Sequence, residues 1–508
     1  MVVFGDRFER VRLDDRLDEV LGLLTPADEL GPWITRHERL ACALIEAGRL
    51  ATALADLELD ARGLDGCGPA SAQALRFCRV LALALARSWR GEAQSGDLIH
   101  FAAAAQAALR RDHGARELRL NRPEGYAHYA VYPEAFLDAA LRARPDIVIG
   151  LRSIGTSLAA AVAAQAGTDH LITLRPRGYQ NERVLAPDPA LIRRLAARPA
   201  ARIAVVDEGP GLSGSSFAST VELLRTAGVE AQGIVLIPSH AGPPGGAATP
   251  DTLWLWRAVE RCPADFDTTI LAPAQHDRRL EHWFDDLIGA PVAPIENLSA
   301  GAWRSHFDWG PAGPPAVDAC RERRKFRLQT SRGEYLLKFS GLGRGAPATL
   351  ERASRLHTAG FCPPALALRH GFLLQPWLAG WRPLSTAPVD RRALLQTLCA
   401  YLRFRTRAFP APPAEATPVR DLAEMARCNA LALLGAGGER RIAALLGPLA
   451  EVTPAPVHVD ARLHPSEWLV SPQGDLVKTD AIDHSTDHFL VGAQDIAWDI
   501  AGAAVEFD

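Results

Sequence analysis

The chain has 508 residues, 48% of them apolar and 23% charged, with a formal charge of −3. That length exceeds one ordinary core and predicts two or three domains, while the near-neutral balance excludes a general nucleic-acid surface. Eight cysteines, Cys42, Cys67, Cys78, Cys262 and Cys428 among them, keep no zinc or disulfide spacing, which fits a reducing, cytoplasmic setting. Charge begins at Asp6, too early for a signal peptide. The Ala/Leu runs break before reaching about 20 apolar residues, so no membrane span is expected.

Residues 1–95 read as a helical segment, with apolar residues at helical spacing over 33–57 and 70–89 and a break at 63–69. Trp33, His37, Glu38 and Arg39 read as interior anchors and solvated positions of a cap or docking unit, with ligand contact as the alternative. Residues 121–133 gather Tyr126, His128, Tyr129 and Tyr132 just ahead of the first clear strand.

That strand is the apolar run from Ile147, and it leads into a small-residue loop and a helix continuing through Ala164. Gly155 lets the backbone approach a ligand closely, and Ser153, Thr156 and Ser157 offer hydroxyl donors to phosphate oxygens. Arg152 either neutralises an anion there or sits on the surface. Residues 171–174 form the next strand, followed by a loop with Arg175, Arg177 and Arg183.

Ile203, Ala204, Val205 and Val206 then end in Asp207 and Glu208, which reads as a buried parallel strand closing on two carboxylates. The loop after them carries Ser213, Gly214, Ser215 and Ser216, and a helix begins near Ser216. Such a loop aims N–H groups and hydroxyls at a phosphate, with the helix N-terminus behind them. The carboxylates suit ribose hydroxyls, Mg²⁺ or a developing positive charge. A plain Gly-rich turn is the alternative. Residues 233–240 continue the sheet and bring Ser239 and His240 to a strand end, where a ligand crevice lies in open α/β sheets.

The Asp207–Ser216 stretch resembles the signature of type I phosphoribosyltransferases, apart from a longer, stiffer spacer, Gly209-Pro210-Gly211-Leu212. The resemblance implies that Asp207 and Glu208 contact the ribose hydroxyls of phosphoribosyl pyrophosphate and share its Mg²⁺. It implies that Ser213, Gly214, Ser215 and Ser216 hold the 5′-phosphate. Residues 151–157 resemble the same family's pyrophosphate loop, which assigns Arg152, Ser153, Gly155, Thr156 and Ser157 to the diphosphate. The loop with Arg175 and Arg177 suits the mobile segment that closes over it. Tyr126, His128, Tyr129 and Tyr132 become candidates for the hood that grips the acceptor, with ordinary aromatic packing an equal reading.

After a Trp-rich helix near 253–259 and a Gly/Pro-rich linker at 310–315, residues 324–339 alternate around Ser331-Arg332-Gly333 as a β-hairpin. A helix containing Glu351, two short strands over 367–378, and helices over 393–405 and 416–433 come next. This order resembles the aminoglycoside-phosphotransferase branch of the protein-kinase-like fold. The resemblance makes Lys338 the lysine that grips ATP phosphates, Glu351 its helix partner and residues 375–378 the adenine hinge. Residues 460–470 resemble the catalytic loop, with Arg462 in place of the catalytic Asp and Glu467 in place of the metal-binding Asn. An insertion instead makes His458-Val459-Asp460 the catalytic motif. Glu467 and either Asp480 or Asp483 are then the expected Mg²⁺ ligands, and residues 495–501 resemble a structural Asp-Leu-Ala element.

The expected fold is α/β: a phosphoribosyltransferase-like parallel sheet plus a kinase-like α+β domain, with an N-terminal helical segment. The expected units are residues 1–95 (helical segment), 96–296 (transferase-like), 297–318 (linker) and 319–508 (kinase-like). The expected activity is phosphoribosyl transfer from Mg²⁺–phosphoribosyl pyrophosphate to a small-molecule acceptor, or the reverse cleavage, with Asp207, Glu208 and Arg152 as catalytic residues. The alternatives are a small-molecule kinase using ATP in the C-terminal unit and a non-catalytic nucleotide-sensing scaffold. A homodimer is a further expectation, since transferases of this fold often pair.

Overall fold

A computed structural model describes residues 8–24, 31–66, 68–92, 97–113, 115–179, 181–319, 321–447, 453–487 and 489–507. The expectation about residues 1–6, together with Cys67 and Gln180, lies outside the described residues. The fold is mixed α/β, with one parallel sheet and several antiparallel ones.

The N-terminal part holds β1 (Phe8–Arg12), α1 (Leu13–Leu24), α2 (Trp33–Arg62), α3 (Pro69–Arg90) and α4 (Asp97–His113). Gly63, at φ 69°, ends α2 in the left-handed conformation that glycine adopts without strain. β1 pairs antiparallel with β2 (Glu117–Asn121), so the start of the chain is stitched to a strand beyond α4 rather than closing off a separate cap.

Short α5 (Glu124–His128) and α6 (Pro133–Ala143) lead into the parallel sheet: β3 (Ile147–Leu151), β4 (Leu171–Leu174), β5 (Ile203–Val206), β6 (Ile234–Ile237) and β7 (Glu260–Arg261). Its strand order is β4-β3-β5-β6-β7. Helices α7 (Gly155–Ala166), α8 (Pro189–Ala196), α9 (Ser215–Thr226) and α10 (Pro250–Ala258) connect the strands. Strand alternation divides β5 between two cores. Ala204 and Val206 join a core with α2, α3, α6 and α7, while Ile203 and Val205 face α8, α9 and α10.

Residues 297–318, expected as a linker, are packed structure. Asn297 closes β8 (Glu296–Asn297) on β9 (Lys325–Thr330), and Trp303, Phe307 and Trp309 stack edge-on at ring-centroid distances of 5.7–6.4 Å. Three large aromatic rings can bury area here that a solvated linker would leave in water.

The expected hairpin is β9 and β10 (Gly333–Phe339), in an antiparallel sheet of order β11-β12-β10-β9-β8 with β11 (Ala367–Arg369) and β12 (Phe372–Pro376). One face of this sheet carries Phe326, Leu328, Leu337, Phe339, Phe372 and Leu374. All six belong to the core of the parallel-sheet unit, so the two sheets share one apolar interior. α12 (Ala346–Thr358) covers the sheet's other side. The remainder is built on α13 (Arg391–Ala408), α14 (Val419–Leu446, bent at Gly435) and α15 (Ala497–Phe507), with β13 (Arg382–Pro383), β14 (Pro456–Val457), β15 (Trp468–Val470), β16 (Leu476–Lys478) and β17 (Gln494–Asp495). No helix among the described residues is long and apolar enough to cross a membrane.

Candidate functional site

Two clefts carry the chemistry-bearing residues. The larger, about 540 Å³, lies between the antiparallel sheet and residues 461–490. Period-2 alternation explains its floor: Leu337 and Phe339 face the shared core, so Leu336 and Lys338 face the cleft. Trp303 and Phe307 form one wall, and Gln375, Pro376, Trp377 and Leu378 line it at the strand end where a hinge was expected.

Lys338 is buried, and its Nζ donates to Asp480 Oδ1 at 2.5 Å and Asp483 Oδ1 at 3.3 Å. Burial pulls the ammonium pKa down, but Asp480 and Asp483 outweigh it and hold the group charged. The same contact keeps Asp480 ionised against its own burial, with help from His484. Arg323 Nε reaches the other oxygen of Asp483 at 3.1 Å. Glu467 accepts from Lys478 Nζ at 2.7 Å and lies 3.3 Å from Arg462 Nε. Burial depresses the imidazolium of His484, yet Asp480, Asp460 and Glu467 raise its pKa to about 9.

Two expected residues are not where the resemblance puts them. Glu351 points into solvent from α12, and its ion pair among the described residues is with Arg355 at 3.9 Å. The neighbouring position turns inward instead, and Arg352 donates to the backbone oxygen of Ile482. Asp460 has no exposed surface and does not line the cleft. It is a buried junction accepting from Tyr401, with Lys478 Nζ at 3.3 Å and His484 Nδ1 at 3.1 Å. Asp499 fixes this turn from α15, accepting from the backbone N–H of Asp460 at 2.7 Å and of Ala461 at 2.8 Å.

Of the expected residues, Glu467, Asp480 and Asp483 do line the cleft, together with Asp318, Glu322 and Asp487. Among the described residues, Asp480, Asp483 and His484 form one group with converging donor atoms, and Asp460, Glu467 and His484 form another. Carboxylate oxygens suit a hard cation such as Mg²⁺, and the protonated His484 does not. The converging carboxylates of Asp480 and Asp483 thus fit a hard cation, with Glu467 outside that converging set.

The second region is the switch point of the parallel sheet. β3 pairs with β4 on one side and β5 on the other, so the loops after β3 and β5 diverge into a crevice. The expected pair of loops does meet there. A Cβ on Gly155 would lie 2.9 Å from the backbone oxygen of Val206 and 3.1 Å from Asp207 Oδ1, so only glycine permits this approach. Burial raises the Asp207 carboxyl to about 7 against hydrogen bonding from the Glu208 N–H. Burial, then Asp207 and Glu124, raise Glu208 to about 8. Ser213 Oγ lies 2.8 Å from Ser215 Oγ, Gly214 turns at φ 66° and Ser216 lies in the first turn of α9.

The expected diphosphate contacts are occupied by the protein itself. Arg152 is buried, ion-paired to Asp65 and 3.6 Å from Asp56. Arg175 Nε donates to Asp56 at 2.9 Å, and Arg177 pairs with Asp60. Thr156 bonds to Thr52 at 2.8 Å, and Ser157 lies 2.8 Å from the hydroxyl of Tyr126. Three guanidinium charges are thus neutralised by three carboxylates of residues 56–65, a pairing that no spacing or motif in the chain announces. Ser153 is exposed and lines a cavity of about 330 Å³ with Arg49, Asp56, Asp60, Arg119, Arg175 and Arg177. That cavity lies on the α2 side of the crevice and does not reach Asp207 or Glu208.

The aromatic candidates divide. Tyr126 and Tyr132 are buried packing residues. Buried His128 faces Arg323 across 2.9 Å and so belongs to the junction with the C-terminal cleft. His240 is exposed on the surface, and partial loss of water around its ring lowers its pKa. Ser239 latches the carboxylate loop through its N–H, which donates to the backbone oxygen of Glu208 at 3.1 Å.

No protein-family model and no curated protein matches the chain. Among solved structures, choline kinase LicA from Streptococcus pneumoniae superposes with a TM-score of 0.26 at 17% identity, over 45% of this chain and 73% of that one. LicA in complex with AMP superposes with a TM-score of 0.22 at 16% identity, over 38% and 66%. Likenesses at that level carry no weight for activity.

Proposed function

We propose that the C-terminal cleft is a phosphotransferase site that takes a Mg²⁺–nucleoside triphosphate and passes its terminal phosphoryl group to a hydroxyl of a small molecule. The observation that carries this reading is the position of Lys338. Its ammonium sits on the wall of a 540 Å³ cleft between Asp480 and Asp483, and Glu467 lines the same cleft.

Lys338 exchanges its two carboxylates for phosphate oxygens when the nucleotide enters. Asp480 and Asp483 would hold Mg²⁺, which would supply charge neutralisation to the phosphate chain, with Glu467 as a further carboxylate lining the cleft. Residues 375–378 and Leu336 receive the base. The acceptor oxygen bonds to the terminal phosphorus, the bond to the bridging oxygen breaks, the nucleoside diphosphate leaves and the hydroxyl proton passes to solvent. Phosphoryl transfer through a loose transition state asks for positioning and charge more than for a strong base. Arg462, where the catalytic carboxylate was expected, serves the anionic oxygens instead.

Calorimetric titration with Mg²⁺–ATP tests this. Binding by the native chain and its loss in Lys338→Met and Asp480→Asn support the reading. Absence of binding to the native chain contradicts it. An acceptor screen for ATP consumption is the next step.

A second reading rests on the meeting of Gly155 with Asp207 at the switch point. Phosphoribosyl pyrophosphate is proposed to bind there on Asp207, Glu208 and residues 213–216, with Arg152, Arg175 and Arg177 released from Asp56, Asp60 and Asp65. Transfer or reverse cleavage at ribose C1 is then the chemistry. Asp207→Ala should abolish turnover with the fold intact; full activity in that variant removes the reading. Tight binding with no turnover across acceptors favours a nucleotide-sensing scaffold. A homodimer belongs to the same proposal.

A further inference from the structure

Neither cleft uses the cluster of His37, Glu134 and His370. All three residues have no exposed surface. His37 comes from α2, Glu134 from the first turn of α6, and His370 from the turn between β11 and β12. The cluster therefore joins the N-terminal helices, the parallel-sheet unit and the antiparallel sheet at one point. His37 Nε2 lies 2.8 Å and His370 Nε2 lies 3.2 Å from the same atom, Glu134 Oε1.

Hydrogen bonding inside the protein does not satisfy this cluster. Glu134 Oε2 and His370 Nδ1 have no hydrogen-bond partner among the described residues, and His370 Nε2 meets Glu134 Oε1 at 3.2 Å without hydrogen-bond geometry. Two orphaned buried polar atoms and one poorly aimed contact at one point are costly and call for a missing group. His370 is also held at φ 43°, in the left-handed region, which a non-glycine residue adopts at a cost. The surroundings are rich in rings: Trp33, Trp89 and His370 lie 5.1–5.5 Å from His37, and Tyr132 and Trp283 lie 5.1 and 5.3 Å from His370.

We infer that His37, Glu134 and His370 bind a structural zinc-class divalent ion. Two imidazoles and a carboxylate, with no sulfur, are the donor set of Zn²⁺ and its first-row neighbours, whereas Mg²⁺ and Ca²⁺ take oxygen ligands. Tetrahedral ligands on bonds of about 2.0–2.1 Å stand roughly 3.3 Å apart, close to the spacing found here. The chain supplies three donors and leaves the fourth position to a water, and with no exposed surface on any of the three residues the ion serves structure. Ser88 Oγ, 2.9 Å from His37 Nδ1, orients that ring from outside, and Tyr132 donates to the backbone oxygen of His370 at 2.7 Å to hold its turn. The ion gives the buried carboxylate its counter-charge and clamps the three parts of the chain together.

The test is metal analysis of the full chain purified without a metal-affinity column, and of the same chain reconstituted with Zn²⁺. One ion per chain is expected, retained in Asp480→Asn and lost in His370→Ala and His37→Ala. Because those variants bear on the core, the native chain reconstituted with Co²⁺ gives an independent readout. A visible ligand-field spectrum of a four-coordinate nitrogen/oxygen site is expected. Folded native protein that takes up neither ion overturns the inference, as does an ion lost in Asp480→Asn and kept in His370→Ala. A stable fold with only water at the cluster is the same negative result.

Discussion

Asp207 and Glu208 share the end of one strand, and each is raised by burial, to about 7 and about 8. In the folded chain both hold protons at a pH where the unfolded chain, with ordinary values of 3.8 and 4.5, has released them. Stability is therefore lost as pH rises from about 4 through 8. Asp207→Asn combined with Glu208→Gln should flatten that decline and raise the melting temperature at pH 8 relative to the native chain; denaturation scans across pH check it. His484 is raised in the same sense but over a higher window. Its folded value moves from 6.5 to about 9, so its contribution is complete below 6.5 and disappears as pH rises through 9.

Lys338 is the other decisive residue. Lys338→Met leaves Asp480 and Asp483 facing each other in a buried site. Loss of one partner from a buried pair costs about 3–5 kcal/mol. Adding Asp480→Asn should restore part of that loss, and a double-mutant cycle in urea measures the coupling.

At the scale of elements, alternation made much of the chain readable. The hairpin of β9 and β10, the strand pair β11 and β12, and the carboxyl-end loops of β3 and β5 all come from period-2 patterns and small-residue breaks. What periodicity cannot read is the phase of a helix against its neighbour. Glu351 and Arg352 are one residue, about 100° of helical turn, apart, and the sequence of α12 does not say which of them faces the cleft. The catalytic-loop resemblance left two alignments open. The structure buries Asp460 and leaves Arg462 on the cleft wall, because Asp499 ties the backbone of residues 460 and 461 to α15. Asp499→Ala removes two hydrogen bonds to a charged acceptor, each worth roughly 1.5–3 kcal/mol. It should lower the stability of the C-terminal part and raise hydrogen exchange at residues 460 and 461 before it changes the parallel sheet.

Across the whole molecule, the least legible feature was how the N-terminal helices meet the rest. A segment read as a separate unit shares its core with both sheets, and its Asp56, Asp60 and Asp65 neutralise the three arginines read as a diphosphate grip. Ion pairs between distant segments leave no periodic trace in a sequence. If those carboxylates shield a diphosphate site, Asp56→Asn with Asp60→Asn should raise the affinity for inorganic pyrophosphate. Each tenfold gain corresponds to about 1.4 kcal/mol, and the gain should shrink as salt is added. Unchanged affinity would mean that the arginines serve only to dock α2.

The measurement that bears most directly on the central claim is calorimetric titration of the native chain and Lys338→Met with Mg²⁺–ATP. Stoichiometric binding by the native chain and its loss in the variant are expected, with the variant's fold verified by circular dichroism. Equal binding by both chains, or none by the native one, would contradict a nucleotide site built around Lys338, Asp480 and Asp483.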